Sequence, residues 1–136
     1  MRLMVTSACL AFLAIAAISA GPAMADGDAA AGEKVFTKCK ACHSVTAGKS
    51  TPTGPNLLGV VGRKAGSTDF KYSDAMTKAG AKGLVWDEKS IVKYLEDPKK
   101  YLAGYLGEAT VNNKMMFQLK DEKERENVVA YLKSLK

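Results

Sequence analysis

The sequence predicts an all-α domain of about four to five short helices wrapped around one covalently held group. Three observations predict it. Apolar residues recur at helical spacing in several segments, and no convincing run of alternating β-branched residues is present. The pentapeptide Cys39-Lys40-Ala41-Cys42-His43 places two thiols and an imidazole in one short turn of chain. A Cys-x-x-Cys-His run is the attachment pattern of c-type haem. The thiols of Cys39 and Cys42 add across the porphyrin vinyl groups, and His43 becomes an axial ligand to the iron.

Blander chemistry for this motif fails on inventory. His43 is the only histidine, and the one further cysteine, Cys9, lies in a segment expected to be removed. A closed zinc site wants four ligands, and only three adjacent ones are available. A thioredoxin-like site would sit among alternating strands and helices, which the pattern does not show.

Residues 1–25 read as a cleaved secretory signal peptide. Arg2 supplies the positive start, residues 3–20 are apolar and uncharged, Gly21-Pro22 breaks the segment, and Ala23-Met24-Ala25 is the cleavage site. The domain is then residues 26–136, 111 residues in one unit. Two cysteines that might suggest a disulfide are spoken for by haem, and the expected compartment is the periplasm. The full chain carries a formal charge of +6, and loss of Arg2 leaves about +5. A basic balance suits nucleic acid, anionic lipid or an acidic protein, and a periplasmic address disfavours the first.

Along the domain, the first helix is expected over residues 28–40, with Val35, Phe36 and Cys39 facing inward and Gly32 at a close helix contact. Residues 44–70 are glycine- and proline-punctuated loop, a length that a flat apolar cofactor explains by serving as its core. A short helix over 72–78 is expected to close at Gly80. Asp87 caps the next helix, which shows Ile91, Tyr94 and Leu95 inward and stops at Asp97-Pro98. Residues 98–106 add a helical turn or two, and 107–114 read as loop. Asp121 and Glu124 form a capping box before the last helix, whose apolar stripe is Val128, Tyr131, Leu132 and Leu135.

The second axial ligand cannot be a histidine. Unless the α-amino group or a lysine intervenes, Met76, Met115 and Met116 remain, and thioether sulfur binds haem iron while raising its potential. Met76 reads as core packing, whereas Met115 and Met116 sit in a loop far enough from His43 for the chain to return on the opposite haem face. Spacing alone does not choose between these neighbours.

These residues resemble the class I cytochromes c, most closely the bacterial cytochrome c2 group, over essentially all of residues 27–136. The resemblance implies the cytochrome c fold. Thr53-Gly54-Pro55-Asn56-Leu57 is similar to the loop whose proline carbonyl, here that of Pro55, accepts the axial histidine's other N–H. Gly62-Arg63-Lys64 and Phe70-Lys71-Tyr72 resemble the segments that bind a propionate, implicating Arg63 and Tyr72. Trp86 resembles a tryptophan with the same role, and Tyr94 the tyrosine beside the methionine ligand. Lys114-Met115-Met116-Phe117 is similar to the family's Lys-Met-x-Phe, which selects Met115 as ligand, places Phe117 at the haem and leaves Met116 as packing. Gly32 and Tyr131 match the crossing of the first and last helices. Three departures stand out: a longer stretch between Tyr101 and Lys114, Asn113 where a threonine often bonds a propionate, and Met76 where an asparagine often orders a buried water.

An iron filled on both sides by protein has no open substrate site, so the expected role is a one-electron carrier and not an enzyme. The resemblance implies a cytochrome bc1 complex as donor and a photosynthetic reaction centre or terminal oxidase as acceptor. Lys38, Lys40, Lys99, Lys100, Lys114 and Lys120 flank the expected haem rim and would steer a monomeric carrier into transient complexes with acidic membrane partners. Three rivals have distinct marks. A gas or peroxide site would show high-spin iron, a subunit of a larger complex would co-purify with its partner, and a thiol oxidoreductase would lack haem absorption.

Overall fold

The structure, a computed structural model, describes residues 27–136. The expected signal peptide, residues 1–25, lies outside the described residues. Five helices follow one another: α1 (Ala29–Phe36), α2 (Asp74–Ala81), α3 (Glu88–Glu96), α4 (Pro98–Leu106) and α5 (Glu122–Ser134). Among the described residues the only β pairing is a single bridge between Lys64 and Val85, so the all-α expectation holds.

Helix α1 starts where Asp28 accepts the Ala31 amide at 3.0 Å. It stops at Phe36, short of the expected residue 40. From there the amides of Thr37, Lys38 and Cys39 bond three residues back, to Lys34, Val35 and Phe36. This tightening turns the attachment segment off the helix axis. Val35 and Phe36 are buried, and the Phe36 ring packs 5.5 Å from that of Tyr131 on α5. The α1–α5 contact is the most extensive helix pairing, and Gly32 lies at it, as expected.

Helix α2 begins at its Ser73 cap and runs through Gly80 to Ala81. Gly80 therefore does not close it. The position is glycine because a β-carbon would overlap the Ala65 carbonyl. The chain reverses instead at Gly83, whose φ of +103° favours glycine. Helix α3 starts at Asp87 as expected, its side chain accepting from the Ser90 amide at 2.7 Å. Asp97 ends α3 and caps α4, with Pro98 in the first turn. Residues 98–106 form a full nine-residue helix, closed by left-handed Gly107.

At α5, Asp121 accepts the Glu124 amide at 2.8 Å, but Glu124 does not complete the box. Its carboxylate meets Lys38 at 2.7 Å, linking α5 to the turn after α1. Leu135 falls beyond the helix end and is half-buried, while Val128 and Leu132 are core. No helix among the described residues is long and apolar enough to cross a membrane.

Candidate functional site

Helices α3 and α5 and the long loops enclose a cavity of about 440 Å³. Cys39, Cys42, His43, Pro55, Arg63, Tyr72, Trp86, Tyr94, Met115 and Phe117 all line it, so the fold gathers every expected site residue in one place. Val60, Ile91, Leu95, Val128 and Leu132 supply apolar wall from the core.

The loop between Cys42 and Arg63 is ordered by side chains the sequence left unassigned. Asn56 donates to the carbonyls of Thr46 at 2.7 Å and Lys49 at 2.6 Å, and accepts the Leu58 amide at 2.7 Å. The Thr51 hydroxyl bonds the Gly54 carbonyl at 2.9 Å and also the Cys42 carbonyl. Those bonds set Pro55 against His43. The His43 Nδ1 lies 2.8 Å from the Pro55 carbonyl oxygen. A carbonyl only accepts, so Nδ1 carries the proton and Nε2 keeps its lone pair. Burial holds the imidazole below its ordinary pKa; the Pro55 bond opposes that and the Arg63 charge reinforces it.

The Cys39 thiol is pushed up to about 11, first by burial and then by its neighbour Cys42, with Lys38 opposing. Redox-active thiols have lowered values. A thiol held protonated is the opposite of what a thiol oxidoreductase needs.

Arg63 and Trp86 are brought together by paired backbone: the Trp86 amide donates to Arg63 at 2.9 Å and the Gly62 amide to Trp86 at 2.7 Å. The Arg63 guanidinium donates to the Asn56 carbonyl at 2.9 Å and the Leu58 carbonyl at 3.4 Å. The Tyr72 hydroxyl pairs with Thr68 at 2.6 Å. Trp86 and Tyr94 are both buried, with ring centroids 4.8 Å apart, and burial raises the Tyr94 phenol to about 12.

Asn113, marked in the sequence only as a departure from the family's threonine, is a hub. Its Nδ2 reaches the Met115 carbonyl at 3.1 Å and the Tyr94 hydroxyl at 3.4 Å, while its Oδ1 accepts from Ser73, the α2 cap, at 3.3 Å. Met115 is half-buried against the core, whereas Met116 is 72 % exposed. Met116 lines the same cavity but is exposed, so it is not part of the buried core. Phe117 is 40 % exposed at the cavity mouth.

The six lysines divide. Lys38 is paired with Glu124, Lys120 donates to the Glu96 carbonyl at 3.1 Å, and Lys114 donates to the Lys71 carbonyl and lies 5.3 Å over the Phe70 ring. Lys40, Lys99 and Lys100 are exposed, with no ion pair among the described residues.

The donor set fits haem c. Two thiols stand beside an imidazole with a free Nε2, a thioether lines the same cavity, and the walls are apolar. The comparisons agree. The cytochrome c family model matches residues 29–136, and the chain belongs to that family. It is therefore an electron carrier holding one covalently bound haem c, not an enzyme. It is 48 % identical to the cytochrome c2 of Cereibacter sphaeroides over 135 residues, covering 92 % of this chain and 93 % of that one. It is 42 % identical over 132 residues to cytochrome c-551 of Roseobacter denitrificans, covering 93 % of this chain and 94 % of that protein. The crystal structure of cytochrome c2 from Rhodobacter sphaeroides superposes with a TM-score of 0.75 at 47 % identity, covering 80 % of this chain and 96 % of that one.

Proposed function

We propose that the chain is exported, loses residues 1–25 and works as a soluble, monomeric periplasmic shuttle. It would take one electron from a cytochrome bc1 complex and deliver it to a photosynthetic reaction centre or terminal oxidase. The likeness to cytochromes c2 supports the reading. The observation that carries it is the 2.8 Å bond from His43 Nδ1 to Pro55, which frees Nε2 toward a cavity that Met115 also lines.

In this reading Cys39 and Cys42 would hold haem c through thioether links, and His43 and Met115 would ligate its iron. The iron supplies the one-electron chemistry when bound. Pro55 fixes the His43 ring and its basicity. Arg63, Tyr72 and Trp86 hold a propionate, Tyr94 packs beside the methionine, and Phe117 covers the mouth. The apolar walls would exclude water, and iron held by two protein side chains would offer no site to substrate. Lys40, Lys99 and Lys100 steer docking on acidic partners, helped by Lys38, Lys114 and Lys120 where their local bonds leave charge exposed. Nucleic acid has no part in this role.

Rapid mixing of the oxidised holoprotein with a reduced cytochrome bc1 complex tests it. The expected result is second-order haem reduction that slows as salt rises. No reduction, or a rate indifferent to salt, overturns the partner and docking assignment.

A further inference from the structure

Arg125 is the single charged residue buried among the described residues, 6 % exposed on α5. Burying a guanidinium is costly unless its donors are used. The Nη1 donates to the Leu119 carbonyl at 2.9 Å and the Lys120 carbonyl at 2.7 Å. Its one ionic neighbour, Glu96, is 3.9 Å away and largely solvated, and Nε has no partner among the described residues. The charge is therefore committed to two backbone carbonyls just past the Met115–Phe117 loop.

The same two residues are tied again from the other side. The Leu119 amide donates to the Leu95 carbonyl at 2.8 Å, and the Lys120 ammonium to the Glu96 carbonyl at 3.1 Å. On the loop's other flank the Asn113 hub holds the Met115 carbonyl. Between these anchors residues 114–118 make few backbone bonds, and Met116 and Phe117 face solvent. A segment with so little of its own support opens locally unless its ends are fixed.

We infer that Arg125 is a positioning residue that sets how readily Met115 leaves the iron. It acts through the Leu119 and Lys120 carbonyls and touches neither metal nor cofactor. The inference rests on the ligand assignment above and deepens it. Losing two charge-assisted bonds to carbonyls should loosen the loop on the order of ten- to a hundredfold.

The test is imidazole binding to the ferric holoprotein, read spectroscopically, alongside chemical unfolding. Arg125→Met should bind imidazole roughly ten- to a hundredfold more tightly than the parent. Arg125→Lys keeps the charge with one reachable carbonyl, should fall between, and preserves the test if the methionine variant does not fold. In a Met115→Ala background, already open, the Arg125 change should add nothing. If Met115→Ala opens the site while both Arg125 variants bind imidazole like the parent and merely unfold earlier, Arg125 is only structural and the inference fails. The same holds if the Arg125 effect persists undiminished in Met115→Ala. If Met115→Ala itself leaves imidazole binding unchanged, the ligand assignment falls first and this inference with it.

Discussion

The backbone of Gly32 lies against the carbonyl of Asn127 so closely that a β-carbon there would overlap the oxygen, and it would also stand 2.9 Å from the Tyr131 Cβ. The Asn127 side chain meanwhile accepts the Asp28 amide at 2.8 Å. One residue of α5 thus fixes both the closeness of α1 and its starting point.

Gly32→Ala should therefore destabilise the protein well beyond a helix-propensity change, which by itself would favour alanine. Overpacking against backbone should cost about 3 kcal/mol. Chemical unfolding of the holoprotein measures it, and an unchanged or raised midpoint would show that the helices can part freely.

Gly54 makes the same argument at the site. A β-carbon there would stand 2.5 Å from the Cys42 carbonyl and 2.7 Å from His43 Cε1. Gly54→Ala should rotate or displace the imidazole and weaken its bond to Pro55. The expected outcome is an altered low-spin ferric spectrum and reduction potential, with about 1–3 kcal/mol less stability. A spectrum identical to the parent's would mean that the loop yields and the ring does not.

Asp87 gives a pH dependence with a definite sign. The Ser90 backbone bond, then the Ser90 side chain, holds its carboxyl below the ordinary value of 3.8. A depressed folded-state pKa contributes stability that is present above the unfolded value and lost as pH falls through the folded one. Asp87→Ala should cost about 1 kcal/mol at neutral pH and flatten this acid loss below pH 4. Asp87→Asn should keep most of the cap while also removing the acid dependence. Unfolding midpoints of the three proteins between pH 3 and 7 check both statements.

The lysines should separate by their local bonds. Removing the charge of Lys99 or Lys100 should slow low-salt association with an acidic redox partner by up to about fivefold each, the most that an exposed charge is ordinarily worth. Lys120→Ala should do less to association, because its ammonium is held by the Glu96 carbonyl, and should loosen the 119–120 anchor instead. Salt-dependent rates for the single variants decide this, with equal effects at all positions as the contrary result.

Much of this was legible because it is local. Asp87 and Asp121 cap the helices that their neighbours predict, since a cap needs only its own first turn. The Cys39–His43 motif is chemistry written in five residues. What the sequence hid depends on distant contacts. Gly80 reads as a stop, and only the Ala65 carbonyl explains it inside α2. Glu124 reads as half a capping box until Lys38 arrives from the other end of the chain. Arg125 stands among charged residues on α5 with no local sign of burial, and its partners are on the returning 119–120 segment. Asn113 was legible only as a departure at a family position, because two of its partners, Ser73 and Tyr94, come from distant elements.

His43 and Met115, as proposed here, would together hold the haem iron in a low-spin state and leave it no site for substrate. The most direct test is the weak sulfur-to-iron charge-transfer band at the red end of the ferric spectrum, measured in the parent, Met115→Ala and Met116→Ala. The band is expected in the parent, lost in Met115→Ala and retained in Met116→Ala, whose side chain is largely exposed. A parent without the band and with high-spin iron, or a band lost in Met116→Ala alone, would contradict it.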